Sequence, residues 1–370
     1  MKQNIQIKTE GRNYGVDALR CVSMLLIVCL HIMNRGGAIP AGGSAEALWL
    51  FPLRSLASSA VNIYALISGF VMLTGKFRPA RVLELWLEVW VLDMGIALVG
   101  DLIHSGAMNE NYWVRCLFPF TQKAYWYFTA YVGVYAFSPL INRAIRTLNR
   151  IQAVTMVWIM VLLFSLCTTL GYVNQGDPYA ISGGYSVLWL LVLYIVGACM
   201  RQAELFRRTT TWRLLTALLL VLAGQTLLYG LAYLPNPSTT ILALKKRQLD
   251  YTFPLITAAA VLMLASFSRL RIGARAQKMI AFLSPLTFGV YIIHVHPVIW
   301  IPMKGFFQPL LGLPGALLPF AVLLTGMGLF ALCVFVNWLR ALLFRLLRVR
   351  QFMDRMERSL RKWIYQTVKE

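Results

Sequence analysis

YGVDALRCVSMLLIVCLH, residues 14–31, is an apolar stretch of membrane-spanning length that nevertheless carries an acid, an arginine and a histidine. On an α-helix at about 100° per residue, the eleven steps from Arg20 to His31 return to within about 20° of the same direction. Asp17 stands three residues before Arg20, close to the same stripe. One helix face therefore carries Asp17, Arg20 and His31, with Arg20 and His31 roughly 16 Å apart along the axis at ~1.5 Å per residue. An ionisable group at bilayer depth costs at least ~2.5 kcal/mol even on the most forgiving insertion scale. Such a face must turn toward a protein interior or a wet cavity, so it is read as the wall of a reaction chamber, with His31, Arg20 and Asp17 as candidate catalytic residues.

The rest of the chain agrees with a membrane setting. It has 370 residues, of which 59% are hydrophobic and only 13% charged, where soluble domains carry about 25% charged residues. Mean hydropathy is +0.65. The formal charge of +21 raises nucleic acid as a partner, but the basic residues cluster in short gaps between apolar runs, where orientation signals lie. The reading is therefore membrane lipid and no nucleic acid. The first apolar run follows a polar N-terminal dozen and has no small-residue cleavage site after it, so no cleaved signal peptide is expected. The six cysteines are scattered through apolar runs without a CxxC pair or a disulfide framework, as buried thiols would be.

Spans need about 20 apolar residues. About ten are expected, near 16–33, 56–74, 82–103, 124–141, 152–171, 185–200, 212–233, 251–268, 279–300 and 316–340, with ends uncertain by several residues. With a cytoplasmic N-terminus, the even gaps hold Lys76, Arg78 and Arg81, then Arg143, Arg146 and Arg150, then Arg201, Arg207 and Arg208, then Arg269, Arg271, Arg275 and Lys278. With the tails included, roughly three quarters of Lys and Arg fall inside, as the positive-inside rule requires. The expectation is an all-α polytopic bundle with both termini cytoplasmic. It comprises one transmembrane domain over 1–340 and a basic tail over 341–370, whose apolar residues interleaved with arginine suit an amphipathic helix on an anionic leaflet.

Several stretches carry chemistry. Lys76, Arg78 and Arg81 form either an orientation signal or an anion clamp, since arginine presents a bidentate fork to phosphate. In the third span Glu84 and Glu88 share a face, which favours an ion pair between helices. Ser58, Ser59, Asn62 and Ser68-Gly69 suit close helix packing, and Asn62 also suits a polar chamber. Residues 34–55 read as an outer loop. Trp126 and Tyr127 fit an interfacial belt or a platform for a sugar ring. His294 and His296 do not share a helix face, which argues against a two-ligand zinc grip on regular helix, and no metal is expected. His294 is read as a hydrogen-bonded core histidine or a substrate contact.

These residues together resemble the acyltransferase-3 family of integral membrane acyltransferases, which includes bacterial surface-polysaccharide O-acetyltransferases. The similarity rests on Asp17-x-x-Arg20 followed ten residues later by His31, on Ile67-Ser68-Gly69-Phe70, on Arg78-x-x-Arg81, and on Trp126-Tyr127-Phe128 through Ser138-Pro139-Leu140-Ile141. Thr287-x-x-x-Tyr291-x-x-His294 is a further echo, and the set runs from about 14 to 296. One departure is Pro79, which lies inside the basic pair where the family usually has a proline after it. The chain resembles the membrane-only form, without an appended esterase-like domain. The resemblance implies a multi-pass protein of the bacterial cytoplasmic membrane. It also implies transfer of an acetyl group from cytoplasmic acetyl-CoA to a hydroxyl of a carbohydrate or lipid-linked glycan, with His31 and Arg20 essential. Succinyl transfer and an amino-acid transport module also occur in the family.

On that basis Lys76, Arg78 and Arg81 are expected to hold the donor phosphates, and Arg20 to steer the donor. His31 is expected to serve as general base or transient acyl carrier, with Asp17 orienting Arg20. Asn62 or Tyr127 is a candidate donor to the oxyanion, and Trp126 and His294 are candidate acceptor contacts. A transporter for an amino acid or lipid-linked sugar is the rival reading, though the chain lacks the paired inverted repeat that marks many transporters. A partner-binding membrane scaffold is a third, and it leaves the shared face of Arg20 and His31 unexplained.

Overall fold

The computed structural model describes residues 11–103, 110–122, 124–173 and 176–367. The polar residues 1–10, the loop residues 104–109 and Lys123 therefore lie outside it. The described residues are helical, with no strand among them. In order the helices are α1 (Tyr14–Asn34), α2 (Ala45–Ser58), α3 (Ala60–Met72), α4 (Ala80–Ile103), α5 (Glu110–Leu117), α6 (Trp126–Arg146), α7 (Arg150–Val161), α8 (Thr168–Val173) and α9 (Val187–Gln202). Then follow α10 (Thr211–Leu231), α11 (Thr239–Arg247), α12 (Pro254–Phe267), α13 (Ala274–Leu283), α14 (Thr287–His294), α15 (Pro297–Trp300), α16 (Leu318–Leu346) and α17 (Val349–Thr367).

Helix α1 is the hub. It packs against α2, α3, α12, α13, α14 and α16, so its charged face is enclosed by protein. Its start is set by Asn13, whose side chain accepts from Val16 N–H at 3.1 Å and donates to the Ser268 carbonyl at 2.8 Å. This is an N-cap that also ties α1 to the segment after α12. Its end is set by Arg35 and Gly36, whose amides both return to the His31 carbonyl, and by Gly37 at φ +81°, a conformation that favours glycine.

Among the described residues, six helical segments are long and apolar enough to cross a membrane: Tyr14–Asn34, Ala45–Met72, Arg150–Tyr172, Thr211–Leu231, Ala274–His294 and Leu318–Leu346. About ten were expected. Val187–Gln202 and Pro254–Phe267 are apolar but shorter. Helix α4 is long enough but carries Arg81, Glu84, Glu88, Asp93 and Asp101. The expected outer loop at 34–55 is partly helical, because Ser44 caps α2 through Ala47 N–H at 3.1 Å, and α2 runs almost into α3. The ninth expected span is broken by a 3-10 turn at Ser284–Leu286, with Pro285 in its first turn. Helix α16 runs on to Leu346, and the basic tail follows as α17. That helix packs on α4, so it is a docked element as well as an amphipathic one.

Ser68-Gly69 marks a close helix crossing. A Cβ on Gly69 would collide with the Tyr194 carbonyl of α9, and one on Gly197 with the Leu66 carbonyl of α3. Both obstacles are backbone, which cannot rotate away. Gly69→Val is therefore expected to cost about 1–3 kcal/mol or more through overpacking. Thermal unfolding in detergent checks this, and an unchanged midpoint would show that the two helices separate freely.

Candidate active site

The site has two ends joined by α1. At the N-terminal end of α1, Asp17 is caged by three donors. Arg12 Nε lies 2.5 Å from one carboxylate oxygen, and Arg20 reaches the other at 2.8 Å. Ser284, presented by the break between α13 and α14, donates to that second oxygen at 3.2 Å. Asp17 thus holds Arg20 in one orientation. The Arg20 backbone is fixed as well, because Tyr64 donates its hydroxyl proton to the Arg20 carbonyl at 2.8 Å.

Arg20 lines two adjoining cavities. One, of about 540 Å³, is bounded by Asp17, Arg20, Tyr64, Ser68, Arg81, Tyr127, Arg201 and Thr287. The other, of about 400 Å³, is bounded by Arg20, Lys76, Arg78, Arg81, Tyr131, Tyr135, Asn142 and Arg146. The basic cluster Lys76, Arg78 and Arg81 therefore shares a cavity wall with Arg20, although 50 or more residues separate them in sequence. The described lining of the second cavity has five cations and no carboxylate, an arrangement suited to a polyanionic ligand. Arg146 and Arg201 were read from sequence as orientation signals only. Nothing local distinguishes them from the other basic residues in those gaps, and only the fold turns them inward.

At the C-terminal end of α1, His31 Nδ1 lies 2.8 Å from His294 Nε2, and His294 Nδ1 lies 2.5 Å from the Val290 carbonyl. A carbonyl oxygen only accepts, so the His294 proton sits on Nδ1. In the neutral pair, His294 Nε2 is then an acceptor and takes the Nδ1 proton of His31. His31 Nε2 is left with its lone pair. The edge of Trp300 packs against the His31 ring, with centroids 4.9 Å apart. His294 is fully buried and His31 is partly exposed. Read from sequence as a hydrogen-bonded core histidine or a substrate contact, His294 is the hydrogen-bond partner of His31.

Between the two ends runs a column of aromatic rings. Tyr64 faces Tyr127, Tyr127 faces Tyr291 and Tyr291 faces His294, each with centroids 6.4 Å apart. Tyr127 lines the larger cavity. Trp126 packs instead on Tyr185 and Tyr251, at 4.8 and 6.1 Å. Asn62 is fully buried in a closed arrangement, donating to the Tyr251 carbonyl at 2.7 Å and accepting from Trp189 Nε1 at 3.1 Å. Its amide binds helices together and lines neither cavity.

Two braces hold the dyad in place. Asn337 donates to the Leu286 carbonyl at 2.9 Å, an approach that Gly289 permits because a side chain there would strike Asn337. Arg340 donates to Asn337 Oδ1 and pairs with Glu88 at 2.6 Å, which is the ion pair between helices read from the third span. The second brace is His296, whose Nδ1 accepts from Val298 N–H at 3.2 Å. Its proton is then on Nε2, which lies 3.2 Å from Asp93 Oδ1. Tyr125 also donates to that oxygen, at 2.6 Å. Cys116 stands nearby, and Asp93, Cys116 and His296 offer ligand atoms within 4.8 Å of one another. With its Nε2 proton directed at Asp93, His296 joins this trio into a hydrogen-bonded brace.

The chain matches the family model described as an acyltransferase domain over residues 13–339, most of its length. No curated protein and no solved structure matches it. The matched region contains α1 with its charged stripe, most of the lining of both cavities and the histidine pair. The chain thus belongs to the acyltransferase-3 family and is a membrane acyltransferase.

Proposed function

We propose that this protein transfers an acetyl group from acetyl-CoA to a hydroxyl of a carbohydrate or lipid-linked glycan, at a site formed by His31 and His294. The observation that carries the reading is the bare Nε2 of His31, held by His294, on the same helix whose other end places Arg20 in a basic cavity. The cations Lys76, Arg78 and Arg81 suit the phosphates of CoA. The donor's thioester would extend along the Tyr64, Tyr127 and Tyr291 column toward the dyad.

His31 Nε2 takes the acceptor hydroxyl proton as that oxygen attacks the thioester carbonyl. A carbon–oxygen bond forms, the carbon–sulfur bond breaks, and the proton passes from His31 to the departing thiolate. His294 accepts the Nδ1 hydrogen bond throughout and stabilises the imidazolium. Arg20 and Asp17, some 16 Å along the helix at ~1.5 Å per residue, belong to donor binding in this scheme.

The topology we propose has ten spans. Helices α4, α6, α9 and α12 complete the six long apolar segments, and both ends of the chain face the cytoplasm of a bacterial inner membrane. The inner cavity then opens where acetyl-CoA is found.

The test is release of free CoA thiol by purified protein, with acetyl-CoA or succinyl-CoA as donor and with or without a lipid-linked glycan extract. The expected result is glycan-dependent release that is faster with acetyl-CoA. Preference for succinyl-CoA would change the donor. If neither donor is consumed and labelled sugar or amino acid moves across vesicles instead, the proposal is wrong.

A further inference from the structure

Arg78 is the most heavily paired member of the basic cluster, though Arg81 also meets Glu84, at 3.3 Å. The Arg78 guanidinium lies 3.0 Å from Glu84 of α4, 2.6 Å from Asp354 and 3.6 Å from Glu357. The last two belong to α17, the helix after the final long apolar segment. Its backbone is pinned separately, since Tyr135 O–H donates to the Arg78 carbonyl at 2.9 Å and accepts from Arg78 N–H at 3.1 Å. The guanidinium can therefore change partners without moving the chain that carries it.

Helix α17 is shaped for this contact. Its cations Arg350, Arg355, Arg358 and Lys362 are exposed, while Met353 and Glu357 are buried against the protein. Arg361 reaches back to Glu357 at 2.7 Å and to the Phe77 carbonyl at 3.5 Å. A strongly basic helix thus turns two carboxylates onto Arg78, one of the cations that line the cavity.

We propose that α17 is a strap whose Asp354 and Glu357 occupy Arg78 in place of a donor phosphate, so that tail docking and donor binding compete for one guanidinium. The inference rests on the reading that this cavity receives the phosphates of CoA. Donor arrival shifts Arg78 from two carboxylates to a phosphate, and α17 loosens. The released carboxylates cost little, because Asp354 is 40% exposed even when docked and Glu357 keeps Arg361 as its partner at 2.7 Å. The pairs are only partly buried, so the effect on affinity is modest.

The experiment is equilibrium binding of CoA to the purified full-length protein, with thermal unfolding as a check on folding. Four forms are compared: wild type, Asp354→Asn with Glu357→Gln, Arg78→Ala, and all three changes together. The paired carboxylate variant is expected to bind CoA about threefold to tenfold tighter. Arg78→Ala is expected to bind more weakly than wild type, and removing the carboxylates from it should bring no gain. Limited trypsin digestion within α17 should quicken at saturating CoA. Equal or weaker CoA binding by the carboxylate variant, or unchanged digestion, overturns the strap while leaving the donor reading intact. Failure of both wild type and the carboxylate variant to bind CoA overturns the donor reading and the strap with it.

Discussion

Replacing His31 with Ala is expected to lower glycan-dependent release of CoA thiol by about 10²–10⁴-fold at equal protein level, the range contributed by a positioned general base. The structure adds a condition on the partner. His294→Ala removes the acceptor that keeps the His31 proton on Nδ1, so His31 Nε2 is no longer reliably bare. That variant should also lose most of the activity. The double variant should lose little more than His31→Ala alone, because residues that act as a unit are non-additive. CoA binding should survive in all three variants, since the cations that line the inner cavity are untouched. If His31→Ala keeps activity within a few-fold of wild type, the proton is taken elsewhere and the dyad is only a packing contact.

Arg340→Met is expected to be the most damaging change to stability. It leaves Glu88 about 10% exposed and without its close cation, and breaking one half of a buried ion pair costs about 3–5 kcal/mol. The loss should also reach the dyad, because Arg340 holds Asn337, and Asn337 holds the turn that starts α14. Adding Glu88→Leu to Arg340→Met removes the orphaned charge and should recover most of the stability. Unfolding midpoints in detergent decide the first point, and activity at a temperature where both variants are folded decides the second. A single variant as stable as wild type would mean that Glu88 finds water or another donor.

Much of the site could be read from one helix. Asp17, Arg20 and His31 lie on one face because helical periodicity is a local property, and the bilayer makes their charges too costly to face lipid. The small-residue crossing at Gly69 was legible for a similar reason, since close backbone approach requires the absence of a side chain. The break at Ser284–Leu286 falls inside a stretch, 279–300, that reads in sequence as one span, so its consequence was not visible. That turn delivers Ser284 to Asp17, and the helix it starts delivers His294 to His31, across more than 260 residues.

The sequence by itself determined the helical membrane class, the charged face of α1 and the ion-pair use of Glu88, because each follows from hydropathy, period and the cost of a buried charge. Only the tertiary structure decided which groups those charges meet. It placed Asn62 in a closed clamp with Tyr251 and Trp189, and it brought Arg146 and Arg201 to the cavities. It also set Asp354 and Glu357 of the tail against Arg78 and made His294 the partner of His31. The physical reason is that a hydrogen bond or ion pair depends on distances of about 3 Å, and the helix crossings that set those distances are made by residues far apart in the chain.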